Sequence, residues 1–404
     1  MHTILTIGLF FNELIYVQSC FSNLHILVFF LGCYVVAKVS NGNITCAAHV
    51  PDIFGEYSVG HGDKCELSCK SGYVSVFQKE ALCQNGRLTP RLDCVRPDAL
   101  LLLAGRSDTH GVLNTVELVT NRGVCRGAVP TLPAMRWRMI AESIDKEHVL
   151  ACGGVNIFGD PKKDCWLLGF SPEPKWTKAT DMLVARDAAA WAMDGNLLIV
   201  LGGSLGKLNG YTDSVEMHNV LTQDWIEGPR MSTSRYSHCA VGLGNGSIIV
   251  TGGYGGLEVT ERLDIDTGKW WPLPELNPVR AQHGCAMVDL DGEPGVLVVG
   301  GDSGGTRLKD VRFLPIDRPE AGWRKVADLN TARWGRPGVA MVGGRITVAA
   351  GWDGVRDLDT VEYYDEKRRR WRQTASRLQF DRRWPASTPI SLSLFPKCAQ
   401  KRER

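Results

Sequence analysis

The sequence of 404 residues has almost no net charge, because 46 Lys and Arg residues are balanced by 44 Asp and Glu residues and the formal net charge is +2. No global field would therefore attract nucleic acid. Two short basic runs remain, residues 367–370 and 401–404, and we interpret them as a solvated turn and part of a basic tail at 395–404. We expect no nucleic-acid partner.

The sequence also lacks an apolar run long enough to be a clear membrane span. Its strongest apolar stretch, residues 24–37, is shorter than the ~20 residues that a spanning helix prefers. Val35 and Ala37 suit the −3 and −1 positions of signal cleavage, but no Lys or Arg precedes the stretch. Residues 1–40 are predicted to be a signal peptide, with a retained membrane anchor or a wrongly assigned start as alternatives.

Five cysteines lie close together within residues 46–95. A segment of this size buries too little apolar surface to hold itself together, so disulfides would compensate. The spacing of Cys65 and Cys69 also suits zinc, but no second pair or suitably spaced histidines accompany them, and zinc is the less favoured alternative. The five are Cys46, Cys65, Cys69, Cys83 and Cys94.

The second half of this segment resembles a sushi (complement control) module. The resemblance rests on Cys69-Lys-Ser-Gly-Tyr73, on Cys83-Gln-Asn-Gly-Arg87 and on Cys94. It implies the disulfides Cys46–Cys83 and Cys69–Cys94. Leu88 stands near the place of the family's tryptophan, and Cys65 is surplus, available to another part of the chain or to a second molecule. We expect a sushi-like module at 46–95.

From residue 99 onward the sequence repeats with a period of about 50 residues. Each unit has a short apolar run that ends in glycine, and the last glycines are Gly105, Gly154, Gly203, Gly253, Gly301 and Gly351. A tryptophan follows in all units but the first, at Trp176, Trp225, Trp270, Trp323 and Trp371. The alternating, β-branched runs and the turn signals between them predict a four-stranded sheet for each unit.

The repeated glycines and tryptophans suit six sheets arranged radially around an axis. Backbones crowd near the axis, where glycine removes side-chain bulk, and a large side chain fills the wedge between sheets farther out. The stretch Gly351-Trp-Asp-Gly-Val-Arg-Asp-Leu-Asp-Thr-Val-Glu-Tyr-Tyr-Asp365, followed by Trp371, resembles a kelch repeat of the kelch-like proteins. The resemblance implies an all-β protein, a six-bladed kelch β-propeller over residues 99–394, preceded by the small disulfide-rich sushi-like domain.

The ends of the repeat region indicate how the ring closes. The first unit starts at its second strand, residues 99–105, and no innermost strand precedes it. Residues 385–394 have the phase of an innermost strand, so we predict that they complete the first sheet and leave no open edge. Pro385 and Pro389 fit poorly in a central strand.

The kelch resemblance implies that partners dock on the face formed by the loops after the glycine pairs and before the innermost strands. An arginine precedes each innermost strand, and guanidinium groups there would bind carboxylate or phosphate, while neighbouring aromatics would anchor a peptide or stack on a sugar. The predicted partner-binding residues are Arg106, Arg136, Trp137, Arg186, Arg235, Tyr236, Arg280, Arg333, Trp334 and Arg382. The alternative for the arginines is structural: they would satisfy backbone carbonyls or pair with an aspartate of the blade.

The leading functional hypothesis is a secreted or extracellular, non-enzymatic interaction or adhesion protein without cofactor or metal, whose partner is a protein or peptide or else a glycan. Asn43-Ile-Thr and Asn245-Gly-Ser are glycosylation sequons that would be used in the secretory pathway. A membrane anchor would keep the propeller outside the cell.

Two other classes stay open. One is a propeller enzyme of the carbohydrate oxidase or epimerase type, although only His238 and His283 share a repeat position, ahead of Cys239 and Cys285, which we take as small core residues. The other is a cytoplasmic substrate receptor of a ubiquitin ligase, as many kelch-like proteins are.

Overall fold

The computed structural model describes residues 97–395 and Cys398 with their side chains, and nine short strands between Cys33 and Val95 by their backbone alone. Within residues 97–395, six four-stranded antiparallel sheets follow one another. The predicted six-bladed β-propeller is confirmed. We number the blades 1 to 6 along the chain and letter their strands A to D from the axis outward.

Blade 1 consists of Ala386–Ile390 as strand A, then Ala99–Ser107, Gly111–Thr120 and Gly123–Cys125. Blade 2 consists of Ile140–Ser143, His148–Cys152, Cys165–Gly169 and Lys175–Ala179, and blade 3 of Ala190–Asp194, Leu197–Leu201, Val215–Asn219 and Trp225–Gly228. Blade 4 consists of Cys239–Gly242, Ser247–Thr251, Thr260–Asp264 and Lys269–Leu273. Blade 5 consists of Gly284–Leu290, Glu293–Val299, Val311–Pro315 and Arg324–Val326, and blade 6 of Gly338–Val342, Arg345–Ala349, Leu358–Asp365 and Arg370–Arg382.

Three short elements lie between or after these strands. The B–C loop of blade 5 contains a small hairpin, and single 3-10 turns occur before its D strand and after the last strand of the propeller. They are Asp302–Ser303 with Thr306–Arg307, Pro319–Ala321 and Leu392–Leu394.

The ring closes as predicted from the C-terminal stretch. Strand Ala386–Ile390 pairs with strand B of blade 1, with Ala99 opposite Ile390 and Leu103 opposite Ala386. Pro389 is accommodated because strand A is the edge of its sheet, where a missing N–H need not break a ladder hydrogen bond. A disulfide between Cys125 and Cys398 also ties the outermost strand of blade 1 to the C-terminal segment.

Both faces of the B strands are buried, which explains their unbroken apolar runs. In blade 1, Leu101 and Leu103 pack in a cluster with blade 2, while Leu100 and Leu102 pack with blade 6. Similar clusters lie between the other neighbouring blades. The core of the propeller is therefore a set of apolar layers between blades.

The five repeated tryptophans join blades 2 to 6 to the linkers that precede them. Each indole N–H donates to a backbone carbonyl of that linker at 2.8–3.2 Å. The pairs are Trp176 with Pro130, Trp225 with Thr180, Trp270 with Pro229, Trp323 with Pro274 and Trp371 with Ala327. The wedge-filling role predicted for them thus includes a specific hydrogen bond.

The propeller has two further disulfides, and one of them corrects the interpretation of two cysteines. Cys239 and Cys285, taken as small core residues, form a disulfide between the innermost strands of blades 4 and 5. Their side chains meet because these strands are neighbours around the axis, which the repeat phase alone did not show. Cys152 and Cys165, opposite each other on strands B and C of blade 2, form the other disulfide.

The N-terminal part is a separate unit of short strands. Its largest sheet has the order Gly42–Cys46, Lys64–Cys69, Glu80–Gln84 and Arg87–Thr89. Smaller sheets contain Cys33–Tyr34, Tyr57–Val59 and Val50–Pro51 in one case, and Val74–Ser75 with Cys94–Val95 in the other. Apart from the strand Cys33–Tyr34, the predicted leader at 1–40 lies outside the described residues, as do the sushi-type disulfides, the sequon side chain of Asn43 and the tail at 401–404.

Candidate functional site

One residue per blade, just before strand A, forms a closed ring of backbone hydrogen bonds around the axis. These six residues are not glycine, yet all have φ between 52° and 57°, a conformation that such residues rarely adopt. Each N–H donates to the preceding blade at 2.6–3.3 Å, in five cases to the equivalent residue and in the case of Trp384 to Gly335. This belt consists of Arg138, Ala188, Ser237, Gln282, Arg336 and Trp384.

Arg336 spans the axis at the belt. Its guanidinium donates to the carbonyl of Ala189 at 2.7 Å and to that of His238 at 3.3 Å, on blades 3 and 4, and lies 4.4 Å from the ring centre of Trp191. Burial lowers the pKa of Arg336 to about 9. The belt and this side chain form the floor of the opening on the loop face, which we call the mouth.

Five of the predicted partner-binding arginines lie inside the blades, with exposed fractions of 0–1%; they are Arg186, Arg235, Arg280, Arg333 and Arg382. Arg333 is typical: it donates to the carbonyls of Ala350 and Thr360 at 2.7 and 3.0 Å and to the carboxylate of Glu362 at 2.9 Å. The other four pair with Glu216, Glu261, Asp310 and Glu117 in their blades. These contacts with backbone carbonyls and blade carboxylates are the ones expected for a structural role. A ligand on the loop face could reach the five guanidinium groups only if they left the interior of the blades.

The sixth arginine of this repeat position, Arg136, is less buried and pairs with Asp164 at 3.0 Å. The remaining predicted residues do lie at the mouth. Arg106, Trp137, Tyr236 and Trp334 belong to its wall, as shown by their contacts with the belt and with one another.

Tryptophan and arginine side chains alternate along one side of the mouth. The guanidinium carbon of Arg138 lies 4.4 Å from the ring centre of Trp137 and 4.6 Å from that of Trp384. The ring of Trp384 contacts that of Trp334 at 4.9 Å, and Trp334 contacts Trp352 at 5.5 Å. We call the four tryptophans, with Arg138 and with Arg307, which lies 5.0 and 5.2 Å from Trp334 and Trp352, the tryptophan arc.

Three tyrosines line the opposite side. The ring of Tyr211 packs at a tilt against that of Tyr236, with 5.4 Å between the ring centres, and Tyr236 packs in the same way against Tyr254, with 5.1 Å between them. This tyrosine arc meets the tryptophan arc through Gln282, whose amide N–H donates to the Tyr254 hydroxyl at 3.4 Å and whose carbonyl accepts from the indole of Trp384 at 2.6 Å. The mouth is therefore a continuous aromatic surface held by a polar floor.

The charges of the mouth are mostly paired. Asp187 lies 3.5 Å from Arg138; burial raises the pKa of this carboxyl, and Arg138 opposes the rise. Arg307 pairs with Asp302. Exposed Arg106 forms no ion pair within residues 97–395, although its charge, after the hydrogen bond from Arg383, helps to lower the pKa of Asp108. The ion pairs hold Arg138 and Arg307 against the tryptophan rings. Because most charges are paired, the mouth has no strong electrostatic field.

Arg383 bridges two loops of the wall. Its guanidinium donates to Asp108 of blade 1 and to Asp357 of blade 6, both within 2.9 Å. Burial lowers the pKa of Arg383, but the two carboxylates outweigh that effect and the net shift is upward. The bridge links the first and last B–C loops of the ring.

Arg138 and Trp384 of the mouth were missed in the sequence. Tyr211, Tyr254, Arg307 and Trp352 lie in loops that follow the glycine pairs and were predicted to form the docking face, but they were not singled out as binding residues. A signal for part of them existed, since the belt residue follows the repeated arginine by two positions in every blade but blade 6, where Gly335 adds one. Trp352 and Tyr254 directly follow a glycine pair or its equivalent. Nothing in the repeat indicated that the Arg307 hairpin would fold over the tryptophans.

The histidines form no metal site in the described part of the chain, where no cluster of three His, Cys, Asp or Glu residues could hold an ion. His238 and His283 are fully buried, and burial, followed by neighbouring arginines, holds the pKa of both well below the usual range. At the rim, Ser107 and His110 both bind Asp381 at 3.0 Å. The Ser107 hydroxyl also lies 3.4 Å from Nδ1 of His110, the same ring nitrogen that contacts Asp381, whereas a nucleophile-to-base relay uses the two ring nitrogens for its two partners.

Comparisons with known proteins agree with this architecture. A family model described as the kelch motif matches residues 333–377. An F-box/kelch-repeat protein of Arabidopsis thaliana is 26% identical over 49% of this chain and 49% of its own length. Human Kelch-like protein 23 is 26% identical over 54% of this chain and 37% of its own, and Kelch-like protein 25 of Xenopus tropicalis is 23% identical over 75% and 51%.

The chain spans about half or less of the length of these relatives. No helix among the described residues is long and apolar enough to cross a membrane.

Proposed function

We propose that this six-bladed β-propeller of kelch repeats is a non-enzymatic binding protein that holds a protein or peptide partner at its mouth. Kelch-repeat relatives support a protein-interaction role in general. The specific role proposed here is that of an extracellular interaction or adhesion module whose partner contacts the tryptophan and tyrosine arcs.

The tryptophan arc is the observation that carries the proposal. Tryptophan, tyrosine and arginine are the residues most enriched at the energetic centres of protein interfaces, and the mouth concentrates all three. The indole N–H of Trp352 has no hydrogen-bond partner, although its atom is shielded from solvent. An unpaired buried donor of this kind favours a ligand that brings an acceptor, such as a backbone carbonyl of a bound peptide.

The proposed extracellular location rests on the disulfides of the propeller. Disulfides persist in oxidising compartments and are rare in the cytosol. The proposed glycosylation site fits this location, because Asn245 is exposed at the A–B turn of blade 4. In an antiparallel blade that turn lies at the end opposite the B–C loops, so a glycan there would leave the mouth open.

A cytoplasmic substrate receptor is the second candidate, favoured by the similarity to Kelch-like proteins. A count of free thiols in protein taken from its native source distinguishes the two. Oxidised Cys125, Cys152, Cys165, Cys239, Cys285 and Cys398 would support the extracellular proposal, and reduced thiols at all six would overturn it.

Affinity purification from the native source tests the binding site. The full chain, a variant with Trp352→Ala and Arg307→Ala, and a control with Trp271→Ala are immobilised separately. Trp271 is 55% exposed on the outer strand of blade 4, far from the mouth in its blade. A partner retained by the wild type and the control but lost from the mouth variant supports the proposal. A partner retained equally by all three, with unchanged melting temperatures, would overturn it.

A further inference from the structure

Large apolar side chains are exposed together on the loops of blades 2 and 3, beside the mouth. Of the eleven large apolar residues exposed among those described, six lie on three adjacent loops there. Phe158 is 82% exposed and Leu208 97%. We call this set the tip patch: Ile157, Phe158, Leu183, Val184, Leu208 and Tyr211.

Hydrogen bonds hold the linker between blades 2 and 3 to both of these blades. The backbone N–H groups of Met182 and Arg186, on the linker between the blades, donate to the carbonyls of Lys163 and Lys162 on the B–C loop of blade 2. The N–H groups of Leu183 and Val184 donate to the Glu216 carboxylate of blade 3 at 2.7 and 3.1 Å. The exposed apolar groups therefore stand on braced backbone.

The tip patch is continuous with the mouth. Tyr211 belongs to both, since its ring stacks on Tyr236 of the tyrosine arc. A chain-like ligand can therefore run from the tips into the mouth. A flat bilayer that touched the tips would leave the tyrosine and tryptophan arcs unused, which favours a protein partner over a membrane.

Charge around the tip patch indicates which kind of segment fits. Lys162 pairs with Asp160 at 3.6 Å. Lys163 and Lys207 are exposed, and neither has a carboxylate within ion-pair distance in residues 97–395. Two unpaired ammonium groups beside an apolar surface complement a segment that carries both carboxylates and large apolar side chains.

We propose that the tip patch binds an acidic segment of the partner that presents aromatic or aliphatic anchors, and that the mouth holds the continuation of that segment. The inference rests on the proposed function and adds the chemistry of the partner. Burial of the apolar anchors on the patch provides most of the binding free energy. Attraction of the carboxylates to Lys163 and Lys207 orients the segment and makes the association rate depend on salt.

A random 15-residue peptide library displayed on phage, selected on the full chain, provides the probe. Clones are then compared on the wild type, on Phe158→Ser with Leu208→Ser, on Lys163→Glu with Lys207→Glu, and on the control Leu221→Ser. Leu221 is 51% exposed on the C–D turn of blade 3, at the end of the blade opposite the B–C loops. We expect clones enriched in Asp or Glu together with Trp, Phe or Leu, whose affinity falls about tenfold or more in the serine pair but not in the control.

The variant with Lys163→Glu and Lys207→Glu tests the electrostatic part of the inference. Its charge reversal is expected to weaken peptide binding at low salt and to have little effect at high salt, where the charges are screened. Clones without acidic enrichment, or equal losses in the control, would overturn the inference. The same clones are tested on the mouth variant with Trp352→Ala and Arg307→Ala. Clones that lose binding to the mouth variant but not to the serine pair would also overturn the inference, while leaving the proposed function standing. Sedimentation with phosphatidylcholine vesicles containing phosphatidylserine, lost in the serine pair, with no such peptides selected, would assign the patch to membranes instead.

Discussion

Arg333 donates through Nη2 to Oε1 of Glu362 at 2.9 Å, and both side chains are completely excluded from solvent. Glu362 also accepts from the backbone N–H groups of Asn330 and Thr331, which lie on the linker between blades 5 and 6. The pair therefore holds a loop of the binding face to the interior of a blade. Glu216 does the same for the linker that carries Leu183 and Val184.

The first prediction concerns this pair. Arg333→Met leaves the Glu362 carboxylate buried without its cation, and removal of one partner of a buried pair typically costs about 3–5 kcal/mol. Arg377→Met removes the exposed pair with Asp359 and should cost no more than about 1 kcal/mol. Urea unfolding of both variants measures the difference. Equal losses would show that the buried pair is not a brace.

The second prediction compares neighbouring tryptophans on one strand. Trp270 donates its indole N–H to the carbonyl of Pro229, whereas Trp271 is 55% exposed. Trp270→Ala removes a hydrogen bond and packing between a blade and the linker before it, a loss of about 3 kcal/mol in unfolding free energy. Trp271→Ala should change it by about 0.5 kcal/mol or less. Thermal unfolding that ranks the two variants in the opposite order would contradict the assigned role.

Much of the fold was predictable because six copies repeat the same physical constraints. Glycine near the axis, a tryptophan farther out and the missing first strand together indicated six blades and the closure by residues 386–390. The disulfides were not predictable, since a contact such as that of Cys239 with Cys285 depends on how neighbouring blades face each other. Cys125 with Cys398 depends on where the chain goes after its last strand.

The candidate site was only partly predictable, because the residues that repeat are structural and the residues that line the mouth differ from blade to blade. A residue that repeats in every blade, such as Arg235, has the same surroundings six times, and those surroundings proved to be interior. The mouth is built from residue types that differ between blades, such as Trp384 and Gln282. Their positions follow the repeat, two residues after the arginine, but their identities do not, so the repeat did not indicate their contacts. Their contacts cross the axis between blades far apart in sequence.

The third prediction is a loss of stability in mild acid. Burial first, then Arg235 for His238 and Arg280 for His283, holds the pKa of these histidines well below 6.5 in the folded state. The unfolded chain therefore binds more protons below pH 6.5, so their contribution to stability is full above that pH and falls as the pH drops below it. Each histidine should add a slope of about 1.4 kcal/mol per pH unit.

Urea unfolding at pH 7, 6 and 5 measures this slope for the wild type and for a variant with His238→Gln and His283→Gln. The variant should show the smaller slope even if it is less stable at pH 7. A slope unchanged by both substitutions would contradict the assignment.

The fourth prediction concerns closure of the ring. Truncation after Asp381 removes the strand that pairs with Ala99 to Leu103 and exposes the inner edge of blade 1. The truncated chain should lose cooperative unfolding and associate through that edge, as seen by sedimentation velocity. Truncation after Cys398 keeps the strand and the disulfide with Cys125, and should leave a cooperative monomer. A cooperative monomer from the shorter chain would refute the closure.

Photo-crosslinking with benzoylphenylalanine in place of single residues tests most directly the claim that the mouth binds the partner. The probe replaces Trp352 at the mouth in one full-length variant and Trp271 on the outer strand of blade 4 in another, and each is irradiated in its native surroundings. We predict a protein adduct at position 352 and none at position 271. An adduct at 271 without one at 352 would place the interaction on the rim of the propeller and contradict the account.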